Sequence, residues 1–236
     1  MDWRGRAVLL TGASRGLGEA LALELGRAGA RLALVARDES SLSRVVRTVR
    51  AAGGEAHPVP ADVSSPDAAA RIAGVAVALV GPIEVVIHNA SSLGPVPLRP
   101  LAETDDVAFE EALATNLRGP FRLSRALVGP MALRGGGLVV HVTSDAATTP
   151  YPGWGAYGAS KAALEQLGRI WDAELAPSGV RFVNVDPGEM DTRMHREAMP
   201  EADPATLARP EQVARRLVQA LAASLPAVGA RPEVHG

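Results

Sequence analysis

Short apolar runs alternate along this chain with stretches in which apolar residues recur every three to four positions. Ala7–Leu10 is an unbroken apolar run, the pattern of a strand buried on both faces. Leu17, Ala20, Leu21, Leu25 and Ala28 then fall on one stripe of a helix. Arg31–Ala36 reads as a second strand and Glu39–Ala52 as a second helix, ended by Gly53-Gly54. Ala56–Pro60 is a short third strand. Ser65-Pro66-Asp67 signals a helix start, with proline at the first helical position. Strands follow at Ile83–His88, Leu138–Val142 and Val180–Val185. Between them lie a proline-rich loop (Ser91–Pro100), a long helix from about Glu103 to Met131, and a helix over Tyr157–Leu175. Residues 187–210 read as irregular, and Glu211–Ala223 as a last helix. Strands alternating with helices predict an α/β fold: a parallel sheet covered by helices on both faces. No repeat or linker divides the chain, so one domain over residues 1–236 is expected.

Composition narrows this picture. The 236 residues include 47% apolar positions, enough for a sizeable core. The formal net charge of −2 speaks against a nucleic-acid binder, which needs a positive excess. Cysteine is absent, which removes disulfides, thiolate nucleophiles and Cys-bound zinc; no metal site is expected. No apolar run approaches the roughly 20 residues of a membrane helix. The stretch from Arg4 through Leu10 has a faint signal-peptide look, but it stops at Thr11-Gly12, and a buried first strand is the better reading. A cytoplasmic protein without membrane contact is expected. All basic residues but one are arginine, and the exception is Lys161.

The first strand runs into Thr11-Gly12-Ala13-Ser14-Arg15-Gly16-Leu17-Gly18 and then a helix. Glycines let the backbone turn tightly and approach a pyrophosphate, and the helix N-terminus offers free N–H groups. The same residues also fit a G-x-S-x-G nucleophile elbow, with Ser14 as a hydrolase nucleophile. That elbow normally follows several strands, and here it ends the first. At the end of the second strand an acidic residue would bind the ribose hydroxyls of NAD. The chain has Ala36-Arg37 there, so Arg37, with Arg15, is placed for a 2′-phosphate and NADP(H) is the expected cofactor. Asp38 stands one residue beyond.

Tyr157 and Lys161 are four residues apart and share one helix face. A phenol with a pKa near 10 is a poor acid–base group at neutral pH, and a neighbouring ammonium lowers that value. The chain holds only two tyrosines and one lysine, so the pairing is unlikely to be chance.

On these motifs the chain resembles the short-chain dehydrogenase/reductase family over nearly its whole length. Thr11–Gly18 is similar to that family's cofactor turn, and Tyr157-x-x-x-Lys161 to its catalytic pair. Ser144, 13 residues before Tyr157 at a strand end, matches the family's catalytic serine, and Asn116 its fourth catalytic residue. Asp62-Val63 matches the adenine-contacting pair, and Asn89-Ala90 the core of its Asn-Asn-Ala-Gly motif. Pro187-Gly188 opens its Pro-Gly motif, with Thr192 placed to meet the nicotinamide amide. The resemblance implies a Rossmann-like doubly wound sheet and oxidoreduction between a carbonyl and an alcohol. In it Gly12, Ser14, Arg15, Gly16, Leu17, Gly18, Arg37, Asp62, Val63, Asn89, Ala90, Tyr157, Lys161, Pro187, Gly188 and Thr192 contact NADP(H). Pro120, four residues after Asn116, cannot close a helical bond onto the Asn116 carbonyl. In the family, a water held there connects Lys161 to solvent. A dinucleotide-binding sensor or scaffold without catalysis is the alternative.

The chain departs from the family in three places. His88 and Ser91 flank Asn89-Ala90 in place of Asn and Gly. Asp145 follows Ser144, either to bind a polar substrate group or to cap the next turn. The family's seventh strand is expected to be short or missing, because the chain ends at Pro232–Gly236. A homodimer through 103–131 and 157–175 is expected, with a tetramer as the alternative. The expected substrate is a small-molecule aldehyde or ketone, enclosed by 91–97, 145–154 and a lid over about 187–210.

Overall fold

The computed structural model describes residues 2–225. Six strands, β1 (Ala7–Thr11), β2 (Arg31–Ala36), β3 (Glu55–Pro60), β4 (Val85–His88), β5 (Gly137–Val142) and β6 (Val180–Val185), form one parallel sheet in the order β3-β2-β1-β4-β5-β6. The eight α-helices among the described residues are α1 (Gly16–Arg27), α2 (Glu39–Ala51), α3 (Ala68–Val80), α4 (Asp106–Leu113), α5 (Gly119–Leu133), α6 (Gly155–Leu175), α7 (Arg193–Ala198) and α8 (Pro210–Leu221). This is the Rossmann-like, doubly wound α/β sheet. The position of a seventh strand lies outside the described residues.

The continuous apolar strands are explained by the two faces of the sheet. In β1, Val8 and Leu10 point into a core built with α1, α2 and α8. Ala7 and Leu9 point into a second core built with α3 and α5. Alternate side chains therefore both need to be apolar, and the run shows no polar alternation. The chain winds outward from β1 to β3, then returns to β4 on the other side of β1. The connection reverses there, and the carboxyl ends of β1 and β4 part to leave a crevice.

Three helix boundaries differ from the sequence expectation. The helix signalled at Ser65-Pro66 begins only at Ala68. Asp62 Oδ1 accepts from the N–H (2.9 Å) and hydroxyl (2.7 Å) of Ser64, and this holds the preceding residues in a turn. The long helix from Glu103 is three pieces. Asp105 caps α4 by accepting from the Ala108 N–H at 2.8 Å, which leaves Leu101–Glu103 as a separate turn. Residues Ala114–Arg118 then form a widened π-helical turn in which the Gly119 N–H reaches back five residues to the Ala114 carbonyl. Pro120 has no N–H to continue the regular ladder, and such a bulge absorbs the defect. Finally, the stretch expected to be irregular contains α7, whose first turn Thr192 caps through the His195 N–H.

Candidate active site

The crevice opens into a cleft of about 620 Å³ that runs from the first glycine turn to the 187–210 segment. At its floor the two strand ends are stitched together. Thr11 donates its hydroxyl to the Ile87 carbonyl (3.3 Å) and accepts the N–H groups of Asn89 and Ala90 (3.1 Å each). The Asn89 amide donates to the carbonyls of Thr11 and Gly12, both at 3.1 Å. Gly12 and Gly18 are needed by this close packing. A Cβ on Gly12 would lie 2.7 Å from the Ala90 Cα, and one on Gly18 only 2.1 Å from the Gly12 carbonyl oxygen. Residue Arg15, ahead of α1, gives no side-chain cap. The first amides of α1 thus lack a side-chain acceptor beside a cleft wall made by Gly16, Leu17 and Gly18. Such a terminus suits a pyrophosphate, and the glycine cradle fits the group.

Farther along, Ser14, Arg15, Arg37, Asp62 and Val63 line the outer end of the cleft. Arg15 and Arg37 are exposed, and the nearest carboxylate to Arg37 is Asp62 at 3.9 Å. Asp38 is turned to another task. Its Oδ1 caps α2, accepting from the Ser41 N–H (2.6 Å) and the Ser40 hydroxyl (2.8 Å), and these bonds lower its pKa. Arg44, which no motif marks, also lines this end. It bridges Glu19 (2.5 Å) and the Ser14 carbonyl (3.2 Å), which braces the glycine turn from α2.

At the other end, Ser144, Tyr157 and Lys161 meet in the cleft wall. The approach depends on Gly158, because a Cβ there would stand 2.9 Å from the Ala146 carbonyl and push α6 off the Ser144 turn. Lys161 is buried on one flank of this cluster. Its ammonium donates to the Val142 carbonyl at 2.8 Å and sits 5.5 Å from the Tyr157 ring centroid. Burial pulls its pKa down to about 8, with Asp186 opposing the shift. Tyr157 moves the other way from the sequence expectation. Burial pushes its phenol up to about 12, while the hydroxyls of Ser144 and Ser91 oppose the rise. The lysine lies over the ring, 5.5 Å from its centroid, and desolvation is the largest influence on the phenol.

Asn116 is not in the cleft wall. It is fully buried, and all of its side chain is engaged. Its Oδ1 accepts from the Ser92 N–H (2.8 Å) and the Ser91 hydroxyl (3.2 Å), and its Nδ2 donates to the Ser92 carbonyl and the Ser160 hydroxyl (2.8 Å each). Asn116 therefore ties the 91–92 loop to α6 through its side chain. Pro187, Gly188 and Thr192 cover the middle of the cleft. The Thr192 methyl lies 3.4 Å from where a Cβ of Gly16 would stand, so the lid segment reaches the glycine turn.

A family model described as short chain dehydrogenase matches residues 6–203. The chain belongs to the short-chain dehydrogenase/reductase family. A short chain dehydrogenase of Pseudocercospora fijiensis is 34% identical over 193 residues, 81% of this chain and 62% of that protein. The chain thus spans less than two thirds of that relative. The 2,3-dihydro-2,3-dihydroxybenzoate dehydrogenase of Bacillus subtilis is 33% identical over 80% of this chain and 72% of its own length. Among solved structures, a 7α-hydroxysteroid dehydrogenase complexed with NADH and 7-oxo glycochenodeoxycholic acid superposes with a TM-score of 0.86 at 25% identity, covering 94% of this chain and 90% of that one. A metagenomic short-chain oxidoreductase in complex with NADP gives 0.80 at 32% identity, covering 95% and 92%. The family is one of oxidoreductases that bind nicotinamide dinucleotides, and both NADH and NADP occur among these neighbours.

Within this dehydrogenase/reductase frame, the expected cofactor-contacting residues, together with Ser144, line one cleft, while Asn116 does not. Membership in the family also removes the Ser14 hydrolase. Among the described histidines, His57 lies near Glu55, His88 bonds to the Ser124 hydroxyl at 2.9 Å, His141 packs against His88, and His195 lines the cleft beside Glu189 at 3.7 Å; no hydrogen bond joins any of them to Ser14. Reading the sequence missed Arg44, Thr11 and the serines at 92 and 160. Ser160 lay inside the quoted Tyr-x-x-x-Lys motif, and Thr11 inside the glycine turn, but neither had an assigned role. No helix among the described residues is long and apolar enough to cross a membrane.

Proposed function

We propose that this chain is an NADP(H)-dependent carbonyl reductase, acting as one catalytic domain on a small aldehyde or ketone. The convergence of Tyr157, Ser144 and Lys161 on the cleft beside the glycine turn carries this reading. A bound nicotinamide supplies the hydride, the pair of electrons that converts the carbonyl carbon to an alcohol carbon. Tyr157 then provides the proton for the carbonyl oxygen, and the phenol keeps that proton at neutral pH because burial raises its pKa. The Ser144 hydroxyl orients the oxygen. Lys161, with a pKa near 8, holds a proton it can pass on to refill the phenol. At the outer end Arg15 and Arg37 receive the 2′-phosphate, while Asp38 is committed to capping α2. Exposed apolar side chains on α4 and α6, Val107 and Ile170, support the homodimer, which light scattering tests.

Purified protein should oxidise NADPH in the presence of aryl ketones, and more efficiently than NADH. Dinucleotide binding without turnover of any carbonyl would favour the sensor reading instead.

A further inference from the structure

The substrate end of the cleft carries a feature the proposed reaction does not use. Asp145 follows Ser144 and lines the same cleft. Its Oδ1 accepts from the Ser144 hydroxyl at 3.0 Å, and its Oδ2 accepts from the Tyr151 hydroxyl at 2.6 Å. The alternative role of turn cap belongs to Ser144, whose oxygen accepts from the Ala146 N–H at 3.2 Å. The Asp145 carboxylate is therefore held by two neutral hydroxyls, and the Tyr151 bond is the main reason its pKa is lowered and it stays ionised. The lid arginines do not serve it: Arg193 pairs with Glu197 and Arg196 with Asp191. Glu189 stands nearby, close enough to act on the Tyr151 phenol, and its own partner is His195 at 3.7 Å.

This arrangement sets a condition on the substrate. A hydroxyl has one proton to donate, and that of Ser144 is shared between Asp145, at 3.0 Å, and the Tyr157 phenol. A carbonyl that takes this proton frees an acceptor position on Asp145, which is exposed to the cleft, and either water or a donor on the substrate then fills it. A substrate with its own O–H or N–H on the carbon next to the carbonyl supplies that donor in the same step. An acidic group at that position adds repulsion. Around this point Trp154 packs edge-on against Tyr157 (centroids 5.6 Å apart) and beside Tyr151 (6.3 Å), with Leu93 and Met194 close by. That lining suits an apolar or aromatic body.

We infer that Asp145 is a specificity-determining residue that selects carbonyl compounds bearing a hydroxyl or ammonium donor on the adjacent carbon, and rejects 2-keto acids. The inference rests on the proposed carbonyl reductase reading.

The test is a matched aryl series: acetophenone, 2-hydroxyacetophenone, 2-aminoacetophenone and phenylglyoxylate. Each is run as a substrate with NADPH and as a ligand by calorimetry, on the wild type and on Asp145→Asn. Wild type should prefer the two donor-bearing ketones over phenylglyoxylate by about tenfold or more in kcat/KM and in affinity, the size of one charged hydrogen bond. Asp145→Asn should compress that ratio severalfold, chiefly through KM, with acetophenone moving least. An equal wild-type response across the series, or a ratio untouched by Asp145→Asn, overturns the inference while leaving the reductase reading intact. Absence of turnover with donor-selective binding overturns the reductase reading and keeps the selection.

Discussion

The two ends of the cleft are built on different principles. The glycine-turn end is made of backbone. Strand ends, two glycines with no room for a Cβ and an uncapped helix terminus shape it, and Thr11 and Asn89 bond only to main chain around it. The substrate end is made of side chains. Ser144, Asp145, Tyr151 and Tyr157 contact one another across a turn, a loop and a helix, beneath a lid that a short bridge pairs at Met190 and Ala208 and that Met194 and Ala198 pack onto the site. A backbone site recognises what all dinucleotides share, and a site of side chains can be re-tuned one residue at a time.

The contrast predicts separable effects. The largest belongs to Tyr157→Phe, which removes the proton donor and leaves the glycine turn alone. Its kcat in carbonyl reduction should fall by about 10²–10⁴-fold, the range for positioned acid–base groups, with NADPH affinity by fluorescence nearly unchanged. A Tyr157→Phe enzyme that keeps its turnover would end the assignment. Gly18→Ala should do the reverse. Its Cβ meets the Gly12 carbonyl at 2.1 Å and the Asn89 amide at 2.6 Å, neither of them a flexible chain end. Overpacking of about 1–3 kcal/mol is expected, read as a lower Tm together with weakened binding of NADPH and NADH alike. Arg37→Ala should act on one cofactor only. Loss of a charged hydrogen-bond partner should lower kcat/KM for NADPH by about ten- to a hundredfold, with NADH little affected. An unchanged NADPH-to-NADH ratio would reject Arg37 as the phosphate ligand.

The smallest effect lies below the sheet's carboxyl edge, away from both ends. His88 and His141 pack together, ring centroids 5.3 Å apart, one strand apart in the sheet. Burial pulls His141 down to about 4 from 6.5 and takes His88 well below 6.5. The unfolded chain protonates these rings near 6.5, so below that pH it binds more protons than the folded chain. Stability should therefore be full above pH 6.5 and fall as pH drops toward 4. Thermal melts of wild type against His141→Leu check this, and the variant should show a shallower slope through that window.

Much of the fold was legible because its signals are local. Strands buried on both faces must be apolar at every position, as Ala7–Leu10 is. A tight turn before a helix must carry glycine, and side chains four apart on a helix must share a face. Those rules bring out the sheet, the glycine turn and the Tyr157–Lys161 pair. They also place Asn116 on a helix, but not what it does, since its four hydrogen bonds run to residues 24 and 44 positions away or close to them. The start at Asp106 is set by the Asp105 cap, and the start at Ala68 by the Asp62–Ser64 turn before it.

Residue types and short spacings along the chain were enough to settle the layered α/β architecture and the family, and to nominate residues that could carry the chemistry. Folding decided the electrostatics. A sequence shows an ammonium four residues from a phenol and suggests an acidic tyrosine. Only the packed molecule shows both groups out of water, where the cost of desolvation raises one pKa and lowers the other. Desolvation depends on every neighbour within several ångströms, and most of those neighbours are remote in sequence.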